Sequence, residues 1–90
     1  MNEADLRLDG NAVAGLLTEV FAVEMTTAVG TCAHCEASSA IGAVQVYAQA
    51  PGTVLRCPTC TSVLMTIVRT RDQMHVDVSG TRRFQLAVPE

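Results

Sequence analysis

The sequence predicts a small α+β fold in which an N-terminal helix precedes an antiparallel β meander. Three observations lead to this fold class. An apolar pattern with helical spacing lies in the first third of the chain, and alternating apolar patterns fill most of the rest. Two Cys-x-x-Cys pairs interrupt the alternating stretches. With 90 residues, the chain has the length of one domain, predicted over residues 1–90.

The helix is predicted over residues 9–25, where Asp9 or Asn11 can cap its start. Its apolar side chains cover an arc of about 200° on a helical wheel. They are Ala12, Val13, Leu16, Leu17, Val20, Phe21 and Val23. A helix that covers only one small sheet needs a narrower arc. The width therefore indicates either deep burial in its own domain or contact with a second chain. Gly15 interrupts the helix, and either exposure or the close approach of another backbone accounts for it.

Alternating apolar residues predict the strands that follow. The first strands are expected over residues 28–31, 43–49 and 53–56, with a turn at Ala50-Pro51-Gly52 between the last two. Val44, Val46 and Ala48 are expected to share one face of their strand.

Three further strands are predicted over residues 63–69, 74–78 and 84–88. Short turns between consecutive strands are typical of an antiparallel meander. Residues 28–69 would form the core of the domain, and residues 70–90 would add the C-terminal strands. Residues 1–8 and the last two are expected to be loose ends.

The four cysteines of the chain form the pairs Cys32-Ala33-His34-Cys35 and Cys57-Pro58-Thr59-Cys60. A spacing of two residues lets one tight turn direct both sulfurs toward the same point. Two such turns can place four thiolates around one ion, and this ligand set is typical of structural zinc. The sequence therefore predicts that Cys32, Cys35, Cys57 and Cys60 bind Zn²⁺.

Alternatives to this zinc site are weaker but remain open. Thioredoxin-like redox pairs begin a helix, and no helical pattern follows either pair here. Iron also favours four sulfurs. His34 lies between two candidate ligands, although four thiols leave it no vacant position. Many such turns place glycine after the second cysteine, whereas this chain has Glu36 and Thr61 there.

The sequence indicates no enzymatic activity. Four thiolate ligands leave no open position at which a zinc ion could activate water. The sequence contains no Ser/His/Asp set, paired-carboxylate cluster or phosphate-binding loop. We therefore expect no catalytic residues, no small-molecule substrate and no cofactor other than the metal.

The net charge of the chain argues against nucleic-acid binding, although the second half of the chain is rich in arginine. The formal net charge is −3, and all six basic residues are arginine. An acidic chain with few aromatic residues is poorly suited to nucleic acid. Five arginines nevertheless lie in the second half of the chain, at Arg56, Arg69, Arg71, Arg82 and Arg83.

The expected location is the cytoplasm. The first residues are acidic, unlike the basic start of a secretory leader, and the longest apolar stretch is too short to cross a membrane. In a reducing compartment, paired Cys-x-x-Cys units indicate metal more often than disulfide.

Two cysteine turns bridged by a hairpin over residues 28–69 look like a zinc ribbon. Residues 8–17, the Glu24-Met25-Thr26 that follows them, and residues 47–58 resemble a narrower group. That group is a family of small, mostly actinobacterial proteins with a zinc-ribbon-like core and no assigned function. The resemblance implies a bacterial protein that binds metal through its four cysteines, and it implies no activity.

Two functions follow as expectations. The first is a zinc-stabilised interaction module that docks on a protein partner, or forms a homodimer through the helix. The contact residues in the homodimer would be Val13, Leu16, Leu17, Val20 and Phe21. The second is a nucleic-acid-binding zinc ribbon of transcription-related type that uses the arginines of the second half.

Overall fold

The computed structural model describes residues 7–49 and 52–88, and this part of the chain folds into two antiparallel sheets and one short α-helix. The strands are β1 (Arg7–Asp9), β2 (Val29–Cys32), β3 (Ser38–Ala40), β4 (Gln45–Gln49), β5 (Gly52–Arg56), β6 (Val63–Arg69), β7 (Met74–Asp77) and β8 (Thr81–Gln85). Helix α1 spans Ala14–Phe21, and 3-10 turns span Gly10–Val13 and Ile41–Ala43. None of the helices in these residues has the length and apolar character needed to cross a membrane.

The larger sheet has five strands in the order β1-β4-β5-β6-β7. Strands β4, β5, β6 and β7 are consecutive and antiparallel, and β4 and β5 correspond to the two strands of the predicted hairpin. The predicted turn at residues 50–52 lies mostly outside the described residues. Val46, Leu55 and Ile67 point into the core and are almost completely buried. Ala48 was predicted on the same face as Val46, but it is exposed near the end of β4.

The smaller sheet has the order β3-β2-β8, and it overturns the predicted single meander. After β7 the chain leaves the larger sheet, and β8 pairs with β2, about 50 residues earlier in the sequence. Phe84 of β8 then packs edge-on against Phe21 of α1, with 5.9 Å between ring centroids. Local alternation could not reveal this pairing, because it depends on contacts that form only in the folded domain.

The predicted helix over residues 9–25 is also wrong in extent. Leu8 and Asp9 pair with β4, so part of the segment expected to be loose or helical is a strand. The helix ends at Phe21 because Ala22 adopts the left-handed conformation, with φ of 60°. The predicted α+β fold, with a long N-terminal helix, is therefore replaced by a mostly antiparallel β structure with one helix of eight residues.

One hydrophobic core fills the space between these elements. Leu17 of α1 is fully buried, and Val13 at the start of the helix is also buried. Leu16, Val20 and Phe21 pack against the same core and are partly buried. The wide apolar arc is thus largely covered by the domain itself. Gly15 lies on the open side of the helix, where an added Cβ would meet no atom within 4 Å among the described residues.

Candidate metal centre

The first cysteine turn begins where β2 ends, and backbone hydrogen bonds close it. The N–H of Cys32 donates to the carbonyl of Ala37 at 2.9 Å, and the N–H of Glu36 donates to the carbonyl of Cys32 at 3.0 Å. The backbone N–H groups of His34 and Cys35 point at the Cys32 sulfur, at 3.4 and 3.5 Å. These donors stabilise negative charge on that sulfur. We call residues 32–36 the first knuckle.

The second cysteine turn repeats the same geometry after β5. The N–H of Cys57 donates to the carbonyl of Ser62 at 2.9 Å, and the N–H of Thr61 donates to the carbonyl of Cys57 at 2.9 Å. The N–H of Thr59 lies 3.4 Å from the Cys57 sulfur. Residues 57–61 are the second knuckle. Two loops of different sequence therefore share one conformation, which the common cysteine spacing had indicated.

Each knuckle turns its last corner with a residue in the left-handed conformation. Glu36 has φ of 64°, and Thr61 has φ of 65°. The left-handed region costs a residue with a side chain roughly 1–2 kcal/mol, and glycine avoids most of that cost. Both knuckles nevertheless close with the same backbone hydrogen bonds, from Glu36 to Cys32 and from Thr61 to Cys57.

The four cysteine sulfurs come together between the two knuckles. All four lie within 4.8 Å of one another. The Cys32 and Cys60 sulfurs are 3.7 Å apart, as are those of Cys35 and Cys57. A tetrahedral ion with bonds of about 2.3 Å to sulfur requires sulfur–sulfur distances of about 3.8 Å. The donor set and its spacing therefore fit one tetrahedral metal ion, with two ligands from each knuckle.

The centre is shielded unevenly from solvent. Cys32 and Cys57, the first cysteine of each knuckle, are buried in the hydrophobic core. Cys60 is half-buried and Cys35 is exposed. An ion held here would be fixed to the core on one side and would face water near Cys35.

The thiols of Cys35 and Cys60, the two cysteines nearer to solvent, differ in pKa because their hydrogen bonds and neighbouring sulfurs differ. At Cys60, the hydroxyl and backbone N–H of Ser62 lower the pKa to about 6, with help from the thiols of Cys35 and Cys32. At Cys35, the backbone N–H of Ala37 lowers the pKa, but desolvation and the other cysteine sulfurs outweigh it and raise the pKa to about 12. The clustered thiols thus titrate together, and metal binding displaces the protons that they still carry.

The fold and this centre can be compared with known proteins. A family model described as a family of unknown function, DUF6510, matches residues 2–89. The chain belongs to this family. No curated protein and no solved structure gives a significant match. The DUF6510 membership agrees with the expected family without an assigned function, and it leaves the role of the four cysteines to be argued from their geometry.

Two arginines that the sequence pattern did not single out contact the knuckles. One guanidinium nitrogen of Arg56 donates to the carbonyl of Thr61 at 2.9 Å. The guanidinium carbon lies 5.7 Å from the centre of the Tyr47 ring, a cation–π arrangement. Arg82 forms a 2.5 Å ion pair with Glu36, at the corner of the first knuckle.

The turn before β8 joins the two knuckles. The N–H of Ala33 in the first knuckle donates to the carbonyl of Gly80 at 2.9 Å. The hydroxyl of Thr81 donates to the carbonyl of Leu64, just beyond the second knuckle, at 2.9 Å. Gly80 itself lies so close to β6 that an added Cβ would be 1.7 Å from the carbonyl oxygen of Val63. The C-terminal segment is therefore part of the scaffold of the metal centre.

Proposed function

We propose that the protein is a structural zinc protein, in which one Zn²⁺ bound by Cys32, Cys35, Cys57 and Cys60 stabilises a zinc-ribbon-like domain. The observation that supports this most strongly is the cluster of four sulfurs, all within 4.8 Å of one another. Zinc favours four thiolates in a tetrahedron, and a site filled by four protein ligands has no position for substrate. The proposed role of the metal is therefore structural and not catalytic.

Elemental analysis tests the proposal on protein purified without chelators. We expect about one equivalent of zinc per chain, because the four sulfurs form a single site. Iron bound to four sulfurs would colour the protein and dominate the metal content, and that result would contradict the assignment to zinc. A folded protein that contains no metal would contradict the site itself.

We further propose that the zinc-stabilised domain acts by binding another protein. A closed metal site offers no chemistry of its own, and several large apolar side chains remain on the surface. Val23 is 47% exposed and Leu86 is 44% exposed, and both line a groove of about 350 Å³ beside the end of α1. The contact residues first expected for a homodimer are largely packed inside the domain. A different protein is therefore the better-supported partner.

Light scattering of the zinc-loaded protein separates the two kinds of partner. A single chain has a mass of 9.5 kDa. That mass at micromolar concentration is the result expected if the partner is a different protein. Twice that mass would support the homodimer, and replacement of Val23 by glutamate would then show whether the end of the helix forms the contact. Free thiols suit a reducing compartment, so we propose the cytoplasm as the place to search for the partner.

Nucleic-acid binding remains the second candidate function, and the arginine contacts make it weaker. Arg69 forms an ion pair with Glu19 at 2.6 Å, and Arg82 pairs with Glu36. Arg56 is engaged by Thr61 and Tyr47. Three of the five arginines in the second half of the chain are thus already occupied by groups of the same domain. Tight binding to a phosphate backbone needs several unengaged cations, so we expect little binding at physiological salt.

A further inference from the structure

The second knuckle ends on a corner whose backbone conformation is unfavourable for its residue. Thr61 holds φ of 65°, in the region that glycine adopts most easily. This corner immediately follows Cys60, and the Thr61 hydroxyl donates to the Cys60 carbonyl at 2.6 Å. Cys60 is joined directly to this corner, so we expect a change in the backbone conformation of Thr61 to displace the Cys60 sulfur from the other three.

Arg56 acts on this corner directly. It is the last residue of β5, and its guanidinium donates to the carbonyl of Thr61 at 2.9 Å. The hydrogen bond thus closes the loop that contains Cys57 and Cys60. Because the acceptor is a main-chain carbonyl, the contact constrains the backbone whatever side chain residue 61 carries.

The ring of Tyr47 holds Arg56 in position for this contact, with the guanidinium 5.7 Å from the ring centre. The pairing of β5 with β6 also shifts register beside Arg56, which lies opposite Val63 and leaves Leu64 as the extra residue of β6. Bulges of this kind strengthen the local twist and are common beside functional sites.

A similar but weaker arrangement exists at the first knuckle. The pairing of β2 with β8 shifts register between Thr31 and Cys32, and Arg82 of β8 pairs with Glu36 at the left-handed corner. The two side chains are 61% and 67% exposed, and ion pairs in water contribute little. The hydrogen bond from Arg56 is also exposed, but Arg56 itself is half-buried, lies over Tyr47 and donates to backbone, so its contact is expected to matter more.

We propose that Arg56 is a positioning residue of the metal centre, which keeps Cys60 in place by holding Thr61 in a conformation normally left to glycine. This inference rests on the proposed zinc site and adds how the chain retains the ion. Contacts around metal ligands commonly change metal affinity by about 10–100-fold when they are removed. Since Arg56 acts through the backbone of one ligand-bearing loop, we expect an effect at the lower end of that range.

The test compares the rate at which variants transfer zinc to an excess of a chromophoric chelator. Arg56→Met keeps the apolar stem over Tyr47 but removes the donor, and we expect it to release zinc about tenfold faster than wild type. Arg56→Lys keeps the positive charge but lacks the planar guanidinium, so its zinc release rate should lie between those of wild type and Arg56→Met. Arg83→Ala, which removes an exposed arginine of β8, is the control and should release zinc at the wild-type rate.

A double-mutant cycle with Thr61→Gly shows whether Arg56 acts through the corner. Glycine adopts the left-handed conformation without support, so Arg56→Met should have much less effect in that background. Absorption of the Co²⁺-substituted proteins should show a disturbed tetrahedral site in Arg56→Met and a restored one in the double variant. An unchanged release rate in Arg56→Met, or an equal effect in both backgrounds, would overturn the role of Arg56. Wild-type protein that holds no zinc would overturn the proposed function as well.

Discussion

Replacement of Cys57 by serine is expected to abolish zinc binding and unfold most of the domain. Cys57 is 1% exposed and lies both in the sulfur cluster and in the hydrophobic core. Structural zinc supplies on the order of 10 kcal/mol in small zinc domains, which is comparable to the whole stability of a typical domain. The variant should lose zinc in elemental analysis, and its far-UV circular dichroism should lose the signal of the β-sheets.

His34→Ala is the matched control for that experiment. His34 lies between two of the cysteines, but its side chain is exposed, and its backbone N–H, which contacts the Cys32 sulfur, is retained in the variant. It should keep one zinc and the wild-type thermal midpoint. A Cys57→Ser protein with unchanged circular dichroism and thermal midpoint would show that the domain does not depend on the metal. Loss of zinc from His34→Ala would instead place the imidazole among the ligands.

Replacement of Gly80 by alanine is the second change expected to have a large effect, although Gly80 is no ligand. The added Cβ would lie 1.7 Å from the carbonyl oxygen of Val63 and 2.9 Å from the Cα of Leu64. Both contacts are with backbone, so no side-chain rotation relieves them, and β6 must move away from the turn before β8. Forced displacement of packed backbone typically costs several kcal/mol, and here it also strains the link between the two knuckles.

Gly15→Ala provides the matched comparison, because the same substitution is made where space is free. An added Cβ at Gly15 meets nothing within 4 Å, and the residue lies inside α1. Alanine is favoured over glycine in a helix by about 1 kcal/mol, so this variant should be more stable than wild type. Chemical denaturation of the zinc-loaded proteins measures both changes. A Gly80→Ala protein as stable as wild type, with zinc retained, would show that the turn before β8 can shift without consequence.

The four-cysteine cluster and most strands of the larger sheet could be predicted from the sequence because they depend on local patterns. The spacing within each cysteine pair is sufficient for a tight turn, and the two predicted turns do meet at one point. Val46 of β4, Leu55 of β5 and Ile67 of β6 lie on the buried face of the sheet, as expected for strands with one buried face. In β6 the alternation fails at Leu64 and Met65, which are both buried, because the pairing with β5 shifts register there.

The remaining features depend on contacts between segments that are distant in sequence, so local patterns could not reveal them. The apolar residues of β8 alternate in the same way whether the strand pairs with β7 or with β2. Only when β8 pairs with β2 does Phe84 pack against Phe21 and Gly80 fit closely against β6. The start of the predicted helix was likewise decided by pairing of Leu8 and Asp9 with β4.

The sequence by itself thus determined which atoms could bind a metal, since each cysteine pair forms its turn from neighbouring residues. Only the tertiary structure decided which side chains contact those turns. Glu36 pairs with Arg82, which β8 brings from a distant part of the sequence. Thr61 accepts a hydrogen bond from the neighbouring Arg56, whose guanidinium also lies over Tyr47 of β4. A side chain's role in such a contact depends on strand register and on bulges, which form only when all the strands are assembled.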